Sequence, residues 1–572
     1  MPHAPHAADI TIQQTLDMLD GPFKALASGV AEDRYVFWLG SGISLGRVPG
    51  LRAVVPKVLE FLRAKIDHAA AACRFKTALN DALACATLSA DEWARVDFDH
   101  PFAGWQDAEA ITSRLINNYA RLLDVNVEGE AADYLLWEAV SVAETFADPR
   151  LEPDVEHLCI ALLMQEGVVS EIATANWDGL IERAATELTA GHPSIVVCVR
   201  PENLREAQQR AALYKFHGCA IKATEDEAGY RPFLIARQSQ INGWAAKLEN
   251  AAIVNKLADI IVRKPTLMMG LSAQDANIQA LFAKAAATME WPWPNDPPGF
   301  VFSEDRLGAD QLGMLQNVYP TAYTPATRQQ ILNTSLIRAY AKPLLVALTL
   351  HILCSKVRAL VELATGALAP ADRKELQAGV IAIRNTVASQ ADGDRLIFLR
   401  GLMMRLSRIT RLFRDGREAE GPWRYNPVTS SPLHRIAADP VLLSSGLPEA
   451  AVVTGLLGIG MRDGLWTLSD ADPADPTSGM AKINSAGTLT KLVLVTNSHA
   501  ALRLRHNGHL VDGDNVAVVH SAEIAPSLAR SPRRPPSRTG RLAKREVSVS
   551  DLLSRGTGSE ELLQNFRREL AI

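Results

Sequence analysis

Residues 34–50 read RYVFWLGSGISLGRVPG, an almost unbroken apolar run that stops abruptly in glycines. A short apolar run bounded by turn residues fits a strand buried on both faces. Beyond it, Val55, Val58, Leu59, Leu62 and Ile66 recur at helical spacing, so strand, glycine turn and helix follow one another as a βα unit. The GSGISLG between them admits two readings. Glycines at a helix start let phosphate approach backbone N–H groups, and the dinucleotide fingerprint spaces them G-x-G-x-x-G. Gly40 and Gly42 fit that spacing, and Gly46 falls one residue late. A tight turn under a buried strand would use the same residues.

The pattern continues downstream. Between 168 and 320, β-type runs (VVSEIAT, SIVVCV, LYKFHG, TLMMGL, GFVFS) alternate with helical ones (DGLIERAATEL, KLENAAIVNKLADIIV, NIQALFAKAA). This alternation predicts an α/β fold, a doubly wound, Rossmann-like and mainly parallel sheet covered by helices on both faces. Ligands bind such sheets beyond the carboxyl ends of the strands, so polar residues just after each β-type run are site candidates. ATANWDGLIERA places Thr174, Asn176 and Asp178 there. They could hydrogen-bond a ribose or an amide, or Asp178 could simply cap the next helix. LYKFHGCA delivers His217. Its ring titrates near neutrality and suits a general base, although a lone histidine is more often structural. TLMMGLSAQDANIQALF turns at Gly270 and presents Ser272, Asp275 and Asn277 before a helix, which is also what a turn and cap would look like. A second glycine run, GIGMRDG at Gly458, has no evident helix behind it and reads as structural.

Taken together, GSGIS, TANWD, FHG and GLS, in this order and each at a strand end, resemble the sirtuin-type NAD-binding domain over roughly 31–323. The resemblance implies that Gly40, Ser41, Gly42 and Ser44 cradle the NAD+ phosphates, with Arg52 near the nicotinamide side of that loop. It further implies that Asn176 holds the nicotinamide ribose and the attacking water, that Asp178 binds the carboxamide, and that His217 acts on the ribose hydroxyl or water, making these three the catalytic set. Ser272, with Asp275 and Asn277 beside it, would contact the adenosine half. Two departures separate the chain from protein-deacylating sirtuins. Those enzymes carry four zinc cysteines after the histidine, whereas only Cys219 lies between His217 and Gly270, and their I-P-D-F-R continuation is replaced by VPGLR. GLSAQDANI instead looks like the G-Y-S-x-x-D-x-x-I pattern of bacterial sirtuin-like effectors that consume NAD+ during phage defence. The expected activity is therefore NAD+ hydrolysis to nicotinamide and ADP-ribose, with NAD+ as substrate and no metal. The alternatives are an NAD-dependent protein deacylase or ADP-ribosyltransferase, and a non-catalytic nucleotide- or nucleic-acid-binding scaffold.

The remainder bounds this reading. A chain of 572 residues is too long for one core and predicts three or four units at roughly 150 residues each. Charged residues make up 22% and the net charge is -5, which excludes a global attraction to nucleic acid or to a membrane surface. No basic and apolar leader opens the sequence, and the run PLLVALTLHILCSKV from Pro343 is short for a membrane helix and reads as a buried one, so a cytoplasmic protein without membrane contact is expected. None of the six cysteines forms a C-x-x-C pair, and His499, His506 and His509 lack a clear fourth ligand. The expected divisions are an N-terminal helical segment (1–30), the NAD-binding domain (31–324, with a helical insertion at about 69–165), a helical region (325–420), a smaller α/β region (421–525), and a basic tail with a short terminal helix (526–572). Arg530, Arg533, Arg534, Arg538, Arg541, Lys544 and Arg545 make that tail a candidate for phosphate or nucleic-acid contact. Regulation of an NAD+-consuming enzyme further suggests a homo-oligomer and an activator, either a partner protein or a phage-derived one.

Overall fold

The computed structural model describes residues 6–70, 72–209, 211–366, 368–418, 423–472, 474–513, 515–524, 545–556 and 558–572. The apolar runs become seven strands: β1 (Val36–Leu39), β2 (Glu171–Thr174), β3 (Ile195–Cys198), β4 (Ala211–Lys215), β5 (Thr266–Met269), β6 (Phe300–Ser303) and β7 (Leu336–Ile337). They form one sheet in the order β3-β4-β2-β1-β5-β6-β7, and every pairing is parallel. The expected doubly wound α/β sheet is therefore present. β1 is buried at all four positions because both faces are covered. Phe37 and Leu39 join the core beneath the helices Ile12–Asp20, Lys24–Ala31, Val155–Gln165 and Leu180–Leu188. Val36 and Trp38 point the other way, under Ala251–Arg263, Ala276–Thr288 and Ala309–Val318. Fully burying side chains of this size contributes about 1.5–3 kcal/mol each, which fixes the strand's position and hence the loop behind it.

A separate helical core holds the insertion, but its limits differ from expectation. The helix Leu51–Ala64 packs into that core through Val54, Val55, Val58, Leu59 and Leu62, while Val155–Gln165 belongs to the sheet. The boundary expected at 324/325 is also displaced. β7 completes the sheet, and the first half of the helix Ala341–Leu363 packs beneath it, so cutting there would open the core. That 23-residue helix is the one described helix long and apolar enough to cross a membrane, and it lies mostly buried inside the fold.

The same helix continues into the last core, formed with Pro370–Gln390, Arg395–Asp415 and Leu447–Arg462. Gly458 of the GIGMRDG run lies inside the last of these, where a Cβ would stand 1.9 Å from the Gly379 carbonyl oxygen. The run therefore serves close helix packing. A second sheet follows, with β8 (Thr467–Asp470), β9 (Ala481–Ser485), β10 (Thr488–Val495), β11 (Val516–His520) and β12 (Arg545–Ser548) in the order β12-β11-β10-β9-β8. β8, β9 and β10 are antiparallel neighbours, whereas β10, β11 and β12 are parallel. The segment expected as a tail from 526 thus ends in the sheet's edge strand and two packed helices, Val549–Arg555 and Ser559–Leu570. The basic positions from Arg530 to Lys544 lie outside the described residues; Arg545 opens β12.

Candidate active site

Register brings the four motifs together. Leu39 pairs with Thr174 and with Met269, and Thr174 pairs with Lys215, so β1, β2, β4 and β5 end on one line across the sheet. Their loops emerge at the same height, on either side of the central strand, where a doubly wound sheet binds its ligand.

The loops then bond to one another in a ring. Asn176 Nδ2 donates to the Gly40 carbonyl (3.1 Å), and Ser44 Oγ donates to Asp178 Oδ2 (3.0 Å), joining the first loop to the second. Trp177 Nε1 donates to the His217 carbonyl (2.9 Å), joining the second to the fourth. His217 Nδ1 faces Asp275 Oδ2 at 3.5 Å, and Asn277 Nδ2 lies 3.3 Å from Nε2, joining the fourth to the fifth. The Gly42 N–H donates to the Gly270 carbonyl (3.0 Å) and closes the ring. Thr174 supports it from below, donating to the Leu39 carbonyl and accepting the Asn176 N–H.

This contact explains the glycines more sharply than a phosphate loop does. A Cβ on Gly40 would stand 2.2 Å from the Gly270 carbonyl oxygen, and one on Gly42 would stand 2.6 Å from the Gly270 Cα. Gly40 also donates its N–H to the Met269 carbonyl. Gly40 and Gly42 are small so that two backbones can touch, and their N–H groups are already spent on that contact. Gly46, the late glycine, adopts φ +81° with open space around it, so it serves a left-handed turn.

His217 is buried among Phe216 and Trp244. Burial lowers its pKa against the opposing pull of Asp275, so the ring is neutral at physiological pH. With Asp275 at Nδ1, the proton resides there, leaving Nε2 as the acceptor for the Asn277 amide. Asn176 is half-buried, and its Oδ1 has no hydrogen bond among the described residues, leaving an acceptor free toward a ligand.

The sequence reading missed His157. It is fully buried at the start of Val155–Gln165, and its Nε2 lies 3.1 Å from Ser44 Oγ. The Asp154 N–H donates to Nδ1 (3.1 Å), so Nε2 carries the proton and donates to Ser44, which in turn donates to Asp178. Burial holds the ring down at about 4, which keeps it neutral. Ser44, His157 and Asp178 therefore do not form a nucleophile triad: the serine proton points at the carboxylate, and the chain aims Asp178. Asp178 Oδ1 also accepts the Leu180 N–H (3.2 Å) at the start of its helix, whose N-cap is Gly179. Asp154 is in turn held by Arg47 (3.2 Å) and Lys342 (2.9 Å).

The insertion roofs the site. Trp177 packs edge-on against Phe146, Arg183 donates to the carbonyls of Ala147, Asp148 and Leu151, and the Tyr119 hydroxyl is pushed up to about 12, chiefly by burial and further by Asp275. Arg52 stands apart, paired with Glu109 on the surface, and Ser41 and Ser272 are exposed at the rim. Cys219 sits beneath the site beside Lys215 and Glu182, its thiol raised by burial, and among the described residues no three His, Cys, Asp or Glu side chains are grouped as metal ligands.

A parallel sheet with polar groups gathered on its first, second, fourth and fifth loops has the form of a doubly wound, Rossmann-like domain with its ligand site at the carboxyl ends of the strands. A family model described as SIR2-like domain matches residues 170–318, spanning the second to the fifth loops and β6, so the chain carries a SIR2-like domain there. The region after it matches no family, and no curated protein matches the chain.

Proposed function

We propose that the protein is an NAD+ glycohydrolase, cleaving NAD+ to nicotinamide and ADP-ribose as a regulated effector of bacterial anti-phage defence that acts by depleting NAD+. The ring of contacts that joins Asn176, Asp178 and the neutral His217 at the carboxyl end of one sheet carries this reading. The pyridinium is already a good leaving group, so the enzyme's task is to support an oxocarbenium-like transition state and to place water. The C1′–N bond breaks with its electron pair leaving on nicotinamide, and the water oxygen bonds to C1′. In this reading the free Asn176 Oδ1 orients the water or ribose, and Asp178, aimed by Ser44 and His157, receives the carboxamide N–H. His217 Nε2 takes the proton once substrate displaces Asn277. Gly270 and Ser272, with Asp275 and Asn277, would border the adenosine half.

Purified full-length protein incubated with NAD+, with and without an acyl-lysine peptide, tests the proposal by release of free nicotinamide. Release without peptide that is lost in Asn176→Ala and His217→Ala is the expected outcome. Release that requires the peptide would replace hydrolysis by deacylation.

A further inference from the structure

A cavity of about 510 Å³ opens beside the outer strand β7, lined by none of the residues that form the ring of loops. Its walls come from distant parts of the chain: Met18 and Phe23 of the N-terminal helical segment, Leu312 beyond β6, and Leu332 just before β7. Two arginines, Arg306 after β6 and Arg338 after β7, border this apolar interior. Both are exposed, and among the described residues neither makes a hydrogen bond or a close ion pair, although Arg338, after the Ala7 N–H and His6, adds an electrostatic pull on the neighbouring Asp305 carboxyl. Asp305, the adjacent acid, is held by His6 at 3.0 Å and by the Ala7 N–H at 3.0 Å.

We infer that this cavity is a second binding site, for a small organic anion with an apolar body. Its volume lies in the range of ligand pockets, roughly 300–1,000 Å³. Apolar walls gain by excluding water from such a body, and two guanidinium groups offer planar, paired donors that match a carboxylate, sulfonate or phosphate. The walls are also built to persist. The helix Ile12–Asp20, which carries Met18, is fastened at both ends, by the Ile12 N–H to Asp392 (2.9 Å) and by Asp20 to Arg384 (2.6 Å). Gln329 and Asn333 pair their side-chain amides at 3.0 Å along the helix that forms another wall. None of the cavity's residues belongs to the loops after β1, β2, β4 or β5, so the site is separate from the one proposed for NAD+.

The test is a fluorescence titration of the full-length protein with 1-anilinonaphthalene-8-sulfonate, followed by displacement with decanoate, decanol, AMP or ADP-ribose. One probe site per chain, displaced by decanoate at least tenfold more effectively than by decanol, is expected. Probe affinity should fall at least tenfold in Arg306→Ala/Arg338→Ala, whose exposed positions leave the core intact, as the circular dichroism spectrum would verify. Equal displacement by decanol, or unchanged affinity in the double variant, overturns the anion selectivity. Displacement by AMP but not by decanoate overturns the apolar body, and displacement by ADP-ribose overturns the separation from the NAD+ site.

Discussion

Replacing Lys356 with Met should separate the SIR2-like domain from the C-terminal half more severely than any surface change. Lys356 and Glu166 are both fully buried, with Nζ 2.7 Å from Glu166 Oε2. Nζ also donates to the carbonyls of Glu166 and Thr429, while Glu166 Oε1 accepts from the Tyr425 hydroxyl (2.6 Å) and the Val428 N–H (3.0 Å). Lys356→Met leaves a carboxylate in the core with those two neutral donors and no counter-charge. Breaking one side of a buried pair costs about 3–5 kcal/mol, and the two remaining donors argue for the lower end, about 3 kcal/mol. The companion Glu166→Gln/Lys356→Met removes both charges but keeps an acceptor for Tyr425 and Val428 and supplies an amide for Thr429. It should lie within about 1.5 kcal/mol of wild type, because matched removal of a buried pair is often nearly neutral. Urea unfolding followed by tryptophan emission, with limited proteolysis to report which part opens, measures both. A loss below about 1 kcal/mol in the single variant, or a double variant as unstable as the single, would refute the reasoning, since either result means that the buried charge was not the cost.

Gly40→Ala should destabilise the first loop by at least about 2 kcal/mol and weaken NAD+ binding, because its Cβ meets backbone that cannot swing away; Gly46→Ala, in open space at φ +81°, should cost only about 1 kcal/mol, and equal losses in thermal unfolding would sink the distinction. His157→Leu removes Ser44's donor and strands the Asp154 N–H, so nicotinamide release should fall at least tenfold, with partial recovery in His157→Gln, which keeps a donor toward Ser44; no recovery would argue for packing alone. The pH profile of kcat/KM should stay flat through neutrality and decline only below the ordinary imidazole value of about 6.5, because the base must be unprotonated and burial lowers the His217 pKa. Asp275 pulls that value upward, so Asp275→Asn should move the acidic limb further down; a shift toward alkaline pH contradicts the assignment.

How much of this was legible in sequence depended on what each element buries. β1 and β5 lie between two helical layers, so they read as continuous apolar runs, and the polar residues after them were found by position. β7 has two residues and owes its existence to β6 beside it, which leaves no local pattern to read. Val155–Gln165 was placed in the insertion for a related reason. Ten of its 11 residues are buried, so it shows no polar face from which to infer what it covers. The available signal was Glu156 and His157 themselves, two titratable groups inside an apolar run directly behind the Asp154 cap, where burial demands partners.

The same helix explains why the chain resists division near residue 324. Val155–Gln165 is pinned to Ala341–Leu363 at both ends, through Asp154 to Lys342 and through Glu166 to Lys356. The partners succeed each other in the same order over 12 and 14 positions, spans of about 18 and 21 Å at 1.5 Å per residue, so the two helices run side by side in parallel. One end of this pair is a buried bolt between the first sheet's helical layer and the C-terminal half. The other end is Asp154, whose N–H fixes the His157 tautomer and thereby the direction of the Ser44 proton toward Asp178. Asp178 is thus oriented by groups that include a lysine from beyond the matched domain. Lys342 and Lys356 tie the C-terminal half to the helix that carries His157, alongside contacts such as Arg400–Glu187 and His434–Glu32.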